Sequence, residues 1–446
     1  MSDLWEASEL AIAAGSRDSG FAVTGISIDT RTLQPGDLFV ALRGERDGHD
    51  FVADAFAKGA AGALVSRDVG GGAVLRVDDT LAALTRLGEF ARARSQARVV
   101  AVTGSVGKTT TKEMLRRALA VFGTVHAAAA SFNNQIGVPL TLARMKRETA
   151  FAVLEIGMNH PGEIAPLARI ARPHVAIVTN VERAHIGLMG SEEAIAEEKA
   201  TIFRGLVPGG VAILPRDSAF LTKLSAGVPA GVLRLTFGRG ELADIRLLDA
   251  DSGADGCDVL ARAGEALVRF HLAAAGAHMA MNAVAALAGV AALGLDVEKA
   301  AAALEKFAPL AGRGARRAIG EAMLLDESYN ASGASMRAAL SVLALQTGRR
   351  VAVLGDMLEL GEEAEDEHLD LRGAVTGAAD LVFTCGEMMG LLFDTLPVEI
   401  QGAHLPDAAA LGPVVKAALR PGDCVLVKGS LGSRMRDVVA ILESGI

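Results

Sequence analysis

Cysteine is scarce in this 446-residue chain, with only Cys257, Cys385 and Cys424 present. They lie far apart, form no CxxC pair and have no histidine at metal-ligand spacing, which excludes a disulfide scaffold or zinc module and suits a reducing compartment. Basic runs are missing too. With 44 Lys and Arg against 53 Asp and Glu the net charge is −9, so no stretch can neutralise a phosphate backbone and no nucleic-acid partner is expected. An anionic ligand must be held by local sites. The N-terminal MSDLWEASEL has early acids and no basic segment before an apolar run, so no signal peptide and a cytoplasmic location are expected. No stretch reads as a transmembrane helix. The longest uncharged run, 270–295, is long enough for one, but His271, His278, Asn282 and three glycines interrupt it. It reads as a buried helix with small side chains.

What is present is a core-building chain of 51% hydrophobic and 22% charged residues, of a length that suggests about three domains of ~150 residues. Zone 1–96 mixes short strands and helices: FAVTGISID and LFVAL as strands, LQPGD as a turn, 50–58 as a helix, GALVS as a return strand. In zone 97–312 the apolar runs RVVAVTG, FAVLEIG, HVAIVTN and GVAILP each end in Gly, Asn or Pro, with helical patterns between the first three. Strands of this kind are buried on both faces, which predicts an α/β fold with a mostly parallel central sheet and helices on both faces. Zone 313–446 repeats the logic with RRVAVLGD, ADLVFTCG and DCVLVKGS, implying a Rossmann-like α/β domain beside the small N-terminal α/β one. The stretch 236–259 reads only as irregular strands and turns.

The sharpest motif is AVTGSVGKTTTKEM, directly after the strand RVVAVTG. Met114, Leu115, Ala118, Leu119 and Phe122 then form one helical stripe over 109–122, and Gly123 is placed to stop it. Strand, glycine loop, lysine and helix make a phosphate cradle, in which backbone N–H groups of residues 103–110 (Thr103, Gly104, Ser105, Val106, Gly107, Lys108, Thr109, Thr110) face ATP. Lys108 reaches the β/γ-phosphates and the Thr109 hydroxyl ligates Mg²⁺. The loop is a short variant, since Val102 stands where the longer motif has its first glycine. Downstream, Glu155 ends an apolar strand where an acid facing phosphates holds Mg²⁺. Asn180 ends the next strand, His185 follows it, and Ser191 is an N-cap for a helix carrying Lys199.

Taken in order, TGSVGKTTT, FNNQIGVP, LEIG, TNVERAHIG and GSEEAIAEEK resemble the central domain of the Mur ligases, a superfamily that includes folylpolyglutamate synthase. The resemblance implies an ATP-dependent amide ligase acting through an acyl phosphate. It makes Glu155 and His185 Mg²⁺ ligands and Lys199 a lysine that reacts with CO₂ to give a carbamate for a second Mg²⁺. It makes Lys108, Lys199, His185 and Glu155 the catalytic set. It sets Asn282, in HMAMNAVAALA, against adenine, and brings Arg313, Asp326 and Tyr329 (the only tyrosine) to the nucleotide on domain closure. In LLDESYNASGASM, Ser332 and Gly333 replace the Asn-Pro usual in the family. The N-terminal SIDTRTLQPGDLFVALRGERDGHDF resembles family members that bind a UDP-MurNAc peptide, with Asp29, Thr30 and Arg31 at that end. Asn133, Asn134 and Asn180 complete the substrate contacts. No DNPR-like segment for a single amino acid occurs. GDMLELGEEAEDEHLDL and LVKGSLGSRM instead imply UDP-MurNAc-tripeptide and D-alanyl-D-alanine as substrates of a monomeric enzyme, with the third peptide residue, diaminopimelate or lysine, left open. The competing expectations are a ligase adding that third residue, a folate-type ligase, or a P-loop switch that only hydrolyses nucleotide.

Overall fold

The computed structural model describes residues 3–18, 20–129 and 131–444. Three sheets follow one another along the chain, one per domain. The first is wholly parallel and runs β1 (Gly25–Ser27), β2 (Asp37–Val40), β3 (Gly62–Val65), β4 (Val74–Arg76). The helix expected at 50–58 is a 3-10 turn, Gly48–Phe51, continued by Val52–Ala57, because Asp47 caps the turn by accepting from His49 N.

The central sheet contains β5 (Arg98–Thr103), β6 (Val125–Ala127), β7 (Phe151–Glu155), β8 (Val175–Val178), β9 (Val211–Pro215), β10 (Leu233–Gly238), β11 (Ile245–Ser252), β12 (Cys257–Ala263) and β13 (Ala266–Leu272). Its order is β13-β12-β11-β10-β9-β8-β5-β7-β6, parallel from β11 to β6. Strand β5 lies between β7 and β8, the point where the winding reverses, and such a point opens a crevice at the strands' carboxyl ends. The irregular stretch expected at 236–259 instead holds regular strands joined by two turns, with β11, β12 and β13 an antiparallel extension. Only one face is buried there: Ile245, Leu247, Val259, Ala261, Val268 and Phe270 point inward, while the outer face mixes polar residues with Leu248, Leu260 and Leu267. A bulge between Leu247 and Asp249 interrupts the alternation, which hides the period-2 signal.

The uncharged run forms a strand end and the buried helix Ala277–Ala292. It packs on the helix Lys108–Leu119, where a Cβ on Gly289 would lie 2.8 Å from Leu115 Cδ2, so small residues set the spacing. That helix stops at Leu119, before Gly123, whose Cβ would press on Ala150. Among the described residues no helix is long and apolar enough to cross a membrane.

The third sheet is β14 (Ala315–Ile319), β15 (Ala322–Glu327), β16 (Arg350–Gly355), β17 (Leu381–Cys385), β18 (Gln401–Leu405) and β19 (Cys424–Lys428), ordered β14-β15-β19-β16-β17-β18 and antiparallel only at β14. The N-terminal domain is welded to the central one: Trp5 Nε1 donates to Ala143 O at 3.0 Å, and Arg144 Nε donates to Ile26 O at 2.7 Å. All three cysteines are buried and unbridged.

Candidate active site

A cavity of about 980 Å³ opens between the central and C-terminal domains, at the carboxyl ends of both sheets. Its floor is the glycine loop after β5. Gly104 has φ +149°, and a Cβ there would lie 1.8 Å from Thr179 Oγ1. Gly107 has φ +81°, and its Cβ would lie 2.4 Å from Asn282 Oδ1. Any side chain at either position would close the loop on its neighbours. The next strand anchors it: Val106 N donates to Asn180 Oδ1 at 3.0 Å, Ser105 N to Asn180 O, and Ser105 Oγ to Glu182 O at 2.8 Å. Asn180 therefore shapes the loop as well as lining the cavity.

Lys108 Nζ curls back to donate to Gly104 O (2.6 Å) and Ser105 O (3.1 Å). Loss of water lowers its pKa to about 8; the nearby Glu155 opposes the shift and Arg313 adds to it. Glu155 accepts from Thr109 Oγ1 at 2.8 Å and from Asn133 Nδ2 at 2.9 Å. Ser131 Oγ stands 3.2 Å from the Thr109 hydroxyl and accepts from Arg313 Nη2 at 2.9 Å. The Arg313 guanidinium lies 3.9 Å over the Tyr329 ring, so one stacked pair from the hinge side reaches the nucleotide loop.

Ser191 caps the helix Glu192–Ala200 by accepting from Ala194 N. Lys199 near its end is 1% exposed. Burial drives its pKa well below the usual lysine value, and the positive charge of Lys108 pushes the same way. Its neighbour Glu198 is occupied by Gly162 N and Ile164 N, each at 2.8 Å. Lys108, Thr110, Glu155, His185, Asn133 and Asn282 line the cavity, whereas Lys199, Thr103, Gly104 and Thr109 do not. The Thr103 hydroxyl is buried without a partner among the described residues.

Two of the expected site residues, Asp326 and Asn134, face other partners. Asp326 does not line the cavity. Its carboxylate accepts from Gly312 N (2.8 Å), Arg317 Nη2 (2.7 Å) and Ser328 Oγ (2.6 Å), holding the loop that carries Arg313. Asp326→Ala is expected to lower stability by about 1–3 kcal/mol, since it leaves the buried Gly312 amide without its acceptor; chemical denaturation measures it. Asn134 likewise turns away, accepting from Ile136 N and Gly137 N to start the helix Gly137–Ala143. Asp29, Thr30 and Arg31 lie outside the cavity on the N-terminal domain. Arg31 forks onto both Asp29 oxygens and its side chain is 80% exposed.

Sequence reasoning missed Ser131, whose hydroxyl has no motif of its own, and Lys428. Lys428 ends the apolar strand β19 and donates to Asn330 O at 2.9 Å beside Glu327. An amine closing a buried strand was its available signal. Among the described residues no three His, Cys, Asp or Glu side chains form a metal cage. A hydroxyl, a carboxylate and an imidazole still fit Mg²⁺, which keeps waters and uses one or two carboxylates with substrate phosphates.

The description Mur ligase middle domain matches residues 102–290, Mur ligase, glutamate ligase domain matches 312–431, and Mur ligase family, catalytic domain matches 22–88. The chain belongs to the Mur ligase family. A UDP-N-acetylmuramoyl-tripeptide–D-alanyl-D-alanine ligase of Bacillus subtilis (strain 168) is 35% identical over 95% of this chain and 94% of its own. A crystal structure of MurF from Acinetobacter baumannii superposes with a TM-score of 0.88 at 32% identity, covering 98% of each chain. MurF from Thermotoga maritima in complex with ADP gives 0.79 at 27% identity, over 94% of this chain and 97% of that one. The three-sheet architecture is that of the Mur ligases.

Proposed function

We propose that this Mur ligase joins D-alanyl-D-alanine to UDP-MurNAc-tripeptide with ATP, in cytoplasmic synthesis of the peptidoglycan precursor. One observation carries the reading: the phosphate loop, the Thr109–Glu155 pair and the hinge arginine converge on the same cavity as the strand ends of the third sheet. A nucleotide and an acceptor thus share one chamber, whereas a switch needs only the first. Proposed domains are 1–96 for the UDP-MurNAc peptide, 97–312 for ATP and 313–446 for the dipeptide.

The tripeptide carboxylate attacks the γ-phosphorus and ADP leaves. The dipeptide amine then attacks the acyl-phosphate carbon, loses a proton and expels phosphate. Lys108 and Arg313 neutralise the phosphate charge from opposite sides, while Asn133 orients Glu155 and Asn180 shapes the loop. Thr109, Glu155, His185 and carbamylated Lys199 would hold Mg²⁺, which supplies charge screening between carboxylate and triphosphate. The carbamate forms when neutral Lys199 adds to CO₂ and releases a proton. Asn282 borders the nucleotide loop for adenine, with Tyr329 stacked on Arg313 nearby. Asp29, Thr30 and Arg31 offer a guanidinium to the diphosphate once Arg31 exchanges its fork.

Phosphate release from ATP with UDP-MurNAc-tripeptide is expected to require D-Ala-D-Ala. Release with a single amino acid would assign a neighbouring reaction, and release with no acceptor would leave a hydrolase.

A further inference from the structure

Among the described residues only four besides glycine have positive φ: Arg172, His185, Glu359 and Arg434. Two of these are partners. His185 (φ +64°) on the central domain and Glu359 (φ +67°) on the C-terminal domain place Nδ1 and Oε2 2.5 Å apart. Such backbone is strained for a residue with a side chain and persists only where the surroundings over-determine it. Here they do. Gly187 N donates to Glu359 O at 3.0 Å, and a Cβ on Gly187 would lie 2.6 Å from Gly361 N, so the two backbones meet where only glycine fits. Arg183 adds ion pairs to Glu363 and Glu367.

A carboxylate only accepts, so Nδ1 carries the proton, and in the neutral ring that a metal binds the lone pair then lies on Nε2. An orienting carboxylate behind a metal-binding imidazole has this arrangement. We propose that Glu359 is a positioning residue that sets the His185 tautomer for Mg²⁺. Because Glu359 arrives with the C-terminal domain, docking of that domain and loading of the ion at His185 are coupled, each favouring the other. The inference rests on His185 being a ligand, and not on which acceptor the enzyme uses.

The test is a Mn²⁺ titration followed by electron paramagnetic resonance, using the full chain with a non-hydrolysable ATP analogue and fixed bicarbonate. Wild type is expected to show a tight ion and a weaker one. Glu359→Ala should weaken the second by about 10–100-fold and spare the first. Glu359→Gln, which keeps an uncharged acceptor, should fall between. Gly187→Ala, which wedges the backbones apart with Glu359 intact, should reproduce the Glu359→Ala loss. The Glu359 side chain is 45% exposed, so its truncation leaves the core intact, and thermal melting checks folding. An unchanged weaker ion in Glu359→Ala overturns the positioning role, and a wild-type response in Gly187→Ala overturns the coupling. Absence of a second ion from wild type itself would overturn the ligand reading beneath both.

Discussion

Lys108→Met is expected to reduce acceptor-dependent phosphate release by on the order of 10²–10³-fold, the effect of deleting one preorganised donor to developing charge. The fold stays intact, because the lysine's partners without nucleotide are two loop carbonyls, Gly104 O and Ser105 O, which water can satisfy. The wild-type amine has a pKa of about 8 because water is withdrawn from it. Below that pH it is an ammonium ready for the triphosphate; above it the free loop loses the charge. The KM for ATP should therefore rise as pH climbs through about 8 in wild type and show no such rise in Lys108→Met. Steady-state kinetics between pH 6.5 and 9.5, a window of about 1.5 units on either side, reads both effects. A parallel rise in the variant would remove Lys108 as its origin.

Lys199→Met is expected to separate activity from stability. Turnover should fall by about 10³-fold, since the site loses an anion that would share a metal. Yet unmodified Lys199 is an amine sealed in the core at 1% exposure, so replacing it with an apolar chain of similar length should stabilise the fold by about 0.5–2 kcal/mol. The sign with pH follows from linkage. Burial lowers the folded pKa far below 10.5, so the unfolded chain binds more protons between the two values and wild-type stability rises with pH there. The methionine advantage should therefore shrink between pH 7 and 10, measured by denaturant unfolding in CO₂-free buffer. Wild-type activity should also fall on stripping CO₂ and return with bicarbonate. Indifference to CO₂ would leave Lys199 with no carbamate role.

The sequence carried the fold where strands are sealed on both faces. RVVAVTG, FAVLEIG and HVAIVTN are continuous apolar runs because β5, β7 and β8 have helices on either side, and each run announces its own end. It was mute at β11 to β13, where one face is open and the bulge breaks alternation. The site divides along the same line. Gly104, Gly107, Lys108 and Glu155 were legible because their chemistry fixes their spacing. Asp326 and Asn134 were legible as polar residues at element ends, but not in their direction: a carboxylate serves a backbone amide as readily as a ligand, and only the Gly312 and Gly137 amides decide it. Ser131 and the His185–Glu359 pair depend on contacts across 182 and 174 residues, which no local pattern encodes.

The sealed cysteines have a chemical consequence. Oxidants and electrophiles react with the thiolate, and burial pushes Cys385 up to about 12 and Cys424 to about 11, with Cys257 raised as well. At neutral pH the reactive form of Cys385 is then about one molecule in 10⁵. Peroxide should therefore oxidise these thiols slowly, and the proposed reaction draws on lysine, carboxylate and phosphate chemistry in which no thiol takes part.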